Sequence, residues 1–312
     1  MFDAFTAALP VFGFLVAGYA LGRTPLFTPE RTKGLTTYVF WFATPLLLFR
    51  GGAALARSGG EGFDLGALGA YSVAAAAVYA AAGLANAKLF GGEGAEPPLA
   101  AMTASYSNSV MMGIPLAELF YGAAGLAIAT AIIACSAISY YSVTILWVEL
   151  RMGRSASVAG IAKETALALV RTPVILAMAA GLAFGATGLE TAPAAQRFID
   201  VGAAAVAPTA LFALGATLAS FRIAGDLAEA GTIAGLKLFL NPLLVWLLAA
   251  PVFGVAPEVV PVVVMMSALP CAVNPFLLAS RYEAYVRRAS AAIVFSTAAS
   301  VVTVALLVAA LS

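Results

Sequence analysis

Two asparagines stand where a chain of this composition can least accommodate polar side chains. Asn108 lies between Ser107 and Ser109 in SYSNSVMMGIPLAELF, Ser105 to Phe120, and Asn274 lies in LPCAVNPF, Leu269 to Phe276. Neither stretch has the makings of a catalyst. The 312 residues contain no His, and the two cysteines, Cys135 and Cys271, are far apart in sequence. That removes CxxC redox pairs, Cys/His metal sites and His-based general base chemistry together. Ser107 and Ser109 have no base in view that could activate either as a nucleophile. What these stretches can do is donate hydrogen bonds, because a carboxamide offers two N–H donors without carrying charge, which suits reversible binding of a carboxylate. The expected binding set is Asn108, Ser107, Ser109, Cys271 and Asn274, with no metal and no cofactor. In the competing reading Asn108 and Asn274 only cap helix ends.

The elements that must hold these residues are membrane helices. Hydrophobic residues make up 62% of the chain and charged residues 10%, with a mean hydropathy of +1.00, far from an ordinary soluble domain. A net charge of +1 supplies no field for nucleic acid or an acidic partner. A helix needs about 20 apolar residues to cross a bilayer. Runs bounded by charge or by Gly/Pro clusters predict ten spans, at about 4–22, 33–50, 65–90, 97–120, 123–148, 168–188, 194–220, 230–253, 257–280 and 289–311. The start, MFDAFTAALP, lacks a basic n-region, so no cleaved signal is expected. Ten spans put both termini on one side. Placing them outside leaves Arg23, Arg31, Lys33, Lys88, Arg151, Arg154, Lys163, Arg171, Arg222, Arg281, Arg287 and Arg288 in cytoplasmic loops, against Arg50, Arg57 and Arg197 outside. Residues 149–164 then form a cytoplasmic linker between halves 1–148 and 165–312.

The halves resemble each other. An offset of 163 residues lays PVFGFLVAGYALG, Pro10 to Gly22, over PVILAMAAGLAFG, Pro173 to Gly185, and PLLLFRGGAAL, Pro45 to Leu55, over PTALFALGATL, Pro208 to Leu218. Five spans separate the copies, and an odd number inverts the second copy in the membrane. The expected fold is therefore an all-α membrane protein of ten transmembrane helices in two inverted five-helix repeats, the architecture of secondary transporters. The interrupted spans are the fourth in each half. Pro115, Pro270 and Pro275 withhold backbone donors and Gly113 relaxes the chain, which frees polar backbone near mid-membrane. Lipid would penalise each such group by several kcal/mol, so the breaks belong where protein or a watery cavity surrounds them. Half-helices that end there point partial positive charge inward, as an anion site requires.

In these residues the chain resembles the auxin efflux carrier family, which includes plant auxin exporters and bacterial permeases for malate-like acids. Asn108 followed by MGIPL, Met112 to Leu116, looks like the family's fourth-helix motif, and ALPCAVNPFLLASRY, Ala268 to Tyr282, is similar to its ninth-helix pattern. KLFLNP, Lys237 to Pro242, matches the family's tendency to keep a basic residue five before a Pro. The resemblance covers the whole chain. It implies crossing breaks in helices 4 and 9, a scaffold of helices 1, 2, 6 and 7, and a moving transport domain of helices 3–5 and 8–10. It also departs from plant members: Cys271 stands where they have Gln, Asn274 where they have an aliphatic residue, and VRTPVIL, Val170 to Leu176, lacks their asparagines. Auxin is therefore not the expected substrate.

The sequence thus predicts an elevator-type carrier of a small organic anion, auxin-like or malate-like, in the cytoplasmic membrane. Its partners are that anion and the lipid bilayer, with room for a homodimer. The rivals are a sodium-coupled carrier resembling the bile acid/sodium symporters and a ligand-binding membrane sensor; few carboxylates near the breaks count against sodium. Lys237, about six residues inside the eighth span, either snorkels or bridges to a helix break, or else helps an anionic substrate and its coupling electrostatically. Asn241 shares its face. Pro45 and Pro208 are expected to kink the scaffold helices where they face the site. Glu118 and Asp200 are expected at external helix ends, solvated. Phe40, Trp41, Phe42, Trp147 and Trp246 read as lipid belt or packing.

Overall fold

The computed structural model describes residues 2–59, 64–153, 160, 173–221 and 227–311. Most of the expected linker beyond Gly153, the entry to the sixth span at Val170, and Arg154, Lys163, Arg171 and Arg222 lie outside the described residues. Among the described residues the protein is all-helical, with no β-strand. In chain order the α-helices are α1 Phe2–Gly22, α2 Pro29–Tyr38, α3 Thr44–Arg57, α4 Leu65–Leu89, α5 Glu96–Ser105, α6 Ile114–Arg151 and α7 Pro173–Ala186. They continue with α8 Pro193–Ala204, α9 Val206–Ser220, α10 Leu227–Gly235, α11 Asn241–Ala249, α12 Val260–Ser267, α13 Asn274–Arg281 and α14 Val286–Leu311.

Six helical stretches among the described residues are long and apolar enough to cross a membrane: Pro29–Arg57, Leu65–Leu89, Ser109–Arg151, Pro193–Ser220, Leu227–Ala249 and Val286–Ala310. This is fewer than ten, for physical reasons that can be located. The fourth predicted span is cut between Ser105 and Ser109, and the ninth between Ser267 and Asn274, which leaves half-helices too short to count. The fourth and fifth run on together as one stretch, bent at Gly122, whose φ of 60° and ψ of −145° no ordinary helical residue adopts. The first and sixth are represented by shorter apolar helices, Phe12–Gly22 and Pro173–Ala186.

Three π-helical turns interrupt the helices: π1 Val39–Ala43, π2 Ser109–Gly113 and π3 Leu236–Leu240. Each ends two residues before a proline: Pro45, Pro115 and Pro242. A proline ring displaces the carbonyl four residues earlier and offers no N–H in return, so the preceding turn widens to re-pair its carbonyls. Pro208 has its own disruption, the single non-helical residue Ala205 between α8 and α9. The expected kinks at Pro45 and Pro208 are thus a widened turn and a break.

By contacts the chain divides into two compact units. The first comprises Met1–Asp64, Val110–Ala131 and Val170–Ser220. Its helices pair as α1 with α9 and α3 with α7, and glycines make the pairing close. A Cβ on Gly18 would fall on the Phe212 backbone, and one on Gly181 on the Phe49 backbone. Gly22 abuts Ala216 as Gly185 abuts Ala53. Gly52 meets backbone at Met178 and Leu182, while Gly215 meets it at Leu15 and Tyr19. Every contact in this set recurs at the 163-residue offset found in the sequence. The second unit comprises Leu65–Ser109, Ile132–Leu169 and Phe221–Ser312. Within it α4 packs on α5 and α11, and α10 on α14.

Candidate functional site

Inside the second unit the two interrupted spans meet. Ser107 and Cys271 form an isolated antiparallel β-bridge. The Asn108 N–H donates to the Pro270 carbonyl at 2.9 Å, and the Ala272 N–H donates to the Tyr106 carbonyl at 3.0 Å. The Cys271 N–H donates to Ser296 Oγ at 3.1 Å, and Tyr106 keeps a helical bond to Met102 at 2.9 Å. The backbone freed by the breaks is therefore re-paired by the other break, which is how a non-helical segment avoids the cost of orphaned amides. Pro270 suits its place because that residue contributes only its carbonyl. Pro275 sits in the first turn of α13, where a missing N–H costs nothing.

Lys237 fastens this crossing. It is fully buried in π3, and Nζ donates to Ser107 Oγ at 2.6 Å and to the Ser267 carbonyl at 3.0 Å. Asn241, four residues later, donates Nδ2 to the same carbonyl at 3.0 Å. Ser267 ends α12, so both side chains cap an orphan carbonyl of that helix. Of the readings open to Lys237, snorkelling does not occur; the side chain bridges to both breaks. Ser107 Oγ is also 2.9 Å from the buried Tyr71 hydroxyl, so the serine is saturated by structural partners.

The five expected binding residues thus come together but are not equally free. Ser107 and the Cys271 backbone are spent on the crossing. Cys271 is a free, buried thiol. Ser109 is buried, and its N–H bonds to the Ser107 carbonyl at 2.7 Å. Asn108 is 4% exposed, and its side-chain Nδ2 has no hydrogen-bond partner among the described residues. Leaving such a donor unmet inside a protein costs about 1–3 kcal/mol. Asn274 opens α13, half-buried, with its amide toward the hydroxyls of Tyr106 and Tyr141. Gly113 closes π2 and Pro115 is the second residue of α6, and so they set where the half-helix after Asn108 starts.

No motif in the chain points to the tyrosines. Tyr71 braces Ser107, and with Tyr79, Tyr140, Cys135 and Ser136 it lines a cavity of about 230 Å³. Tyr106 packs edge-on against Tyr140 and Tyr141, with ring centres 5.5 and 6.1 Å away. Tyr71 and Tyr79 share α4 and Tyr140 and Tyr141 are adjacent in α6, but nothing in the sequence relates these pairs to each other or to Tyr106.

Two charged clusters are built from other residues. In the first unit Arg50 pairs with Glu118 and, at 3.3 Å, with Asp200, which also accepts from Gln196. Glu118 and Asp200 are therefore partly buried ion-pair partners, where the sequence placed them as solvated ends. In the second unit the buried Glu229 accepts from Asn86 at 2.6 Å and Tyr285 at 2.8 Å and pairs with Arg288, which also reaches Glu96. Tyr285 and Glu283 reach this arrangement with positive φ, 63° and 54°. No group of three or more His, Cys, Asp or Glu side chains that could hold a metal occurs among the described residues.

Comparison with known proteins agrees over nearly the full length. The sequence profile of a family described as "Membrane transport protein" matches residues 3–308. A protein of Rhizobium meliloti (strain 1021) named "Putative malonate transporter" is 31% identical over 302 residues, covering 95% of this chain and 92% of its own.

Proposed function

The chain belongs to the membrane transport protein family, the auxin efflux carrier-like group, and from that premise we propose that it carries a small organic anion by an elevator movement. It is an integral membrane transporter and not an enzyme. In this reading ten helices form two inverted halves, 1–148 and 165–312, with both termini outside and residues 149–164 as a cytoplasmic linker. The glycine contacts that repeat at one fixed offset support the inverted pairing. Helices 1, 2, 6 and 7, with Pro45 and Pro208, form the scaffold. Helices 3–5 and 8–10 carry the crossing.

The observation that carries the proposal is the buried, unmet Asn108 amide beside a crossing whose broken backbone is re-paired. A carboxylate bound there would gain a donor already stripped of water, and Asn274 and the N-termini at Ser109 and Asn274 would add to it. The name of the similar Rhizobium protein specifies malonate, which makes that dicarboxylate the first substrate to try. Uptake of radiolabelled malonate into proteoliposomes, with Asn108→Ala as the control, is the test. Accumulation by the wild type alone is expected. Equal uptake by both proteins would remove the crossing as the binding site, and uptake no better than protein-free liposomes would remove malonate.

A further inference from the structure

Lys237 carries more charge than the crossing needs. The backbone pairs between residues 106–108 and 270–272 close the crossing without it, and Asn241 already caps the Ser267 carbonyl. An ammonium has three protons, whereas the structure gives this one two acceptors, Ser107 Oγ and the Ser267 carbonyl. Among the described residues no carboxylate pairs with it. The buried and half-buried carboxylates described in the same unit are engaged elsewhere: Glu229 with Asn86, Tyr285 and Arg288, Glu96 with Arg288, and Glu149 with Tyr282. A buried, unpaired charge inside a membrane protein is costly unless an opposite charge offsets it. Asn108, with its unmet donor, directly follows the serine that Lys237 holds.

We propose that Lys237 makes this carrier select doubly charged over singly charged carboxylates, acting through Ser107 on an anion held at Asn108. This rests on the carrier reading above and deepens it. Lys237 is a positioning residue here, with a field that a bound anion feels at short range. In a partly screened interior, even a unit charge about 10 Å away separates a dianion from a monoanion of equal size by roughly tenfold in affinity.

The test compares malonate with monomethyl malonate, similar in size and one charge poorer, by calorimetry on the full-length protein at about pH 6.5, above carboxyl pKa values. Wild type and Lys237→Arg are expected to prefer malonate about tenfold, and Lys237→Met to bind both about equally. Because the ratio compares two ligands on one protein, a general loss of packing lowers both affinities and leaves it unmoved. Lys237→Gln serves as the second variant should Lys237→Met fail to fold. A wild type that binds both equally, or an uncharged variant that keeps the wild-type ratio, overturns the proposal and leaves the carrier reading standing. Failure of the wild type to bind either acid overturns the organic-anion reading, and this proposal with it.

Discussion

Asn108 gives its main-chain N–H to the Pro270 carbonyl at 2.9 Å while its side-chain Nδ2, on the same residue, is buried without an acceptor. One half of the residue builds the crossing and the other half is left over. The two functions can therefore be separated by mutation.

Asn108→Ala removes only the surplus donor. The backbone pair persists, so thermal stability in detergent should be unchanged or slightly raised, since an unmet buried amide costs about 1–3 kcal/mol. Malonate binding should be lost. Normal binding by a well-folded variant would reduce Asn108 to a structural residue.

Ser107→Ala should do the reverse. It strips Lys237 of one acceptor and Tyr71 of its partner, which predicts a loss of about 1–3 kcal/mol and a lower melting temperature. Stability equal to wild type would mean that Lys237 does not depend on Ser107.

The glycine contacts predict a position-specific pattern along α1 and α7. Gly181→Ala would press a methyl against the Phe49 carbonyl and should destabilise by about 1–3 kcal/mol. Gly18→Ala should do the same against Phe212. Gly13→Ala, with nothing near its Cβ, should be neutral or stabilising by about 0.5–1 kcal/mol. Melting curves of the three variants decide it, and a Gly13 variant as damaged as the other two would refute the packing account.

Arg50 ties Glu118 to Asp200 with side chains 30–46% exposed, a setting in which an ion pair contributes no more than about 1 kcal/mol. Arg50→Glu should therefore fold normally yet transport poorly, because Glu118 and Asp200 are then repelled. Arg50→Glu with Glu118→Arg should restore part of the uptake. A double variant as inactive as the single one would show that the pairing itself is irrelevant.

Orientation can be read at the exposed Glu283, which lies between Arg281 and Arg287. Glu283→Cys should react with an impermeant thiol reagent from the cytoplasmic side only, as the charge bias requires. Labelling from outside intact cells would invert the topology.

The sequence made the breaks legible because proline and glycine act locally. Pro115, Pro270 and Pro275 mark the interruptions to within a few residues, and the repeat was visible because Gly18, Gly52, Gly181 and Gly215 each require contact with backbone. What the residues do at the crossing was less legible. Asn108, Ser107 and Ser109 look equivalent in sequence, yet tertiary partners engage Ser107 and leave the Asn108 amide nitrogen unpaired. Lys237 could be located but not assigned, since its acceptors lie 130 and 30 residues away. Tyr71 was invisible because a buried hydroxyl declares itself only through its partner.

The glycine-lined pairs also set an order of events during synthesis. α3 packs against α7, and α1 against α9, so neither of the first two long helices finds its partner in the residues made just after it. α3 ends at Arg57 and α7 begins at Pro173. At ribosomal rates of roughly 5–20 residues per second, α3 waits on the order of ten seconds in the bilayer, its bare backbone groove facing lipid, before its partner exists. Slowing translation between residues 58 and 172 should lengthen that exposure and raise the turnover of the nascent chain.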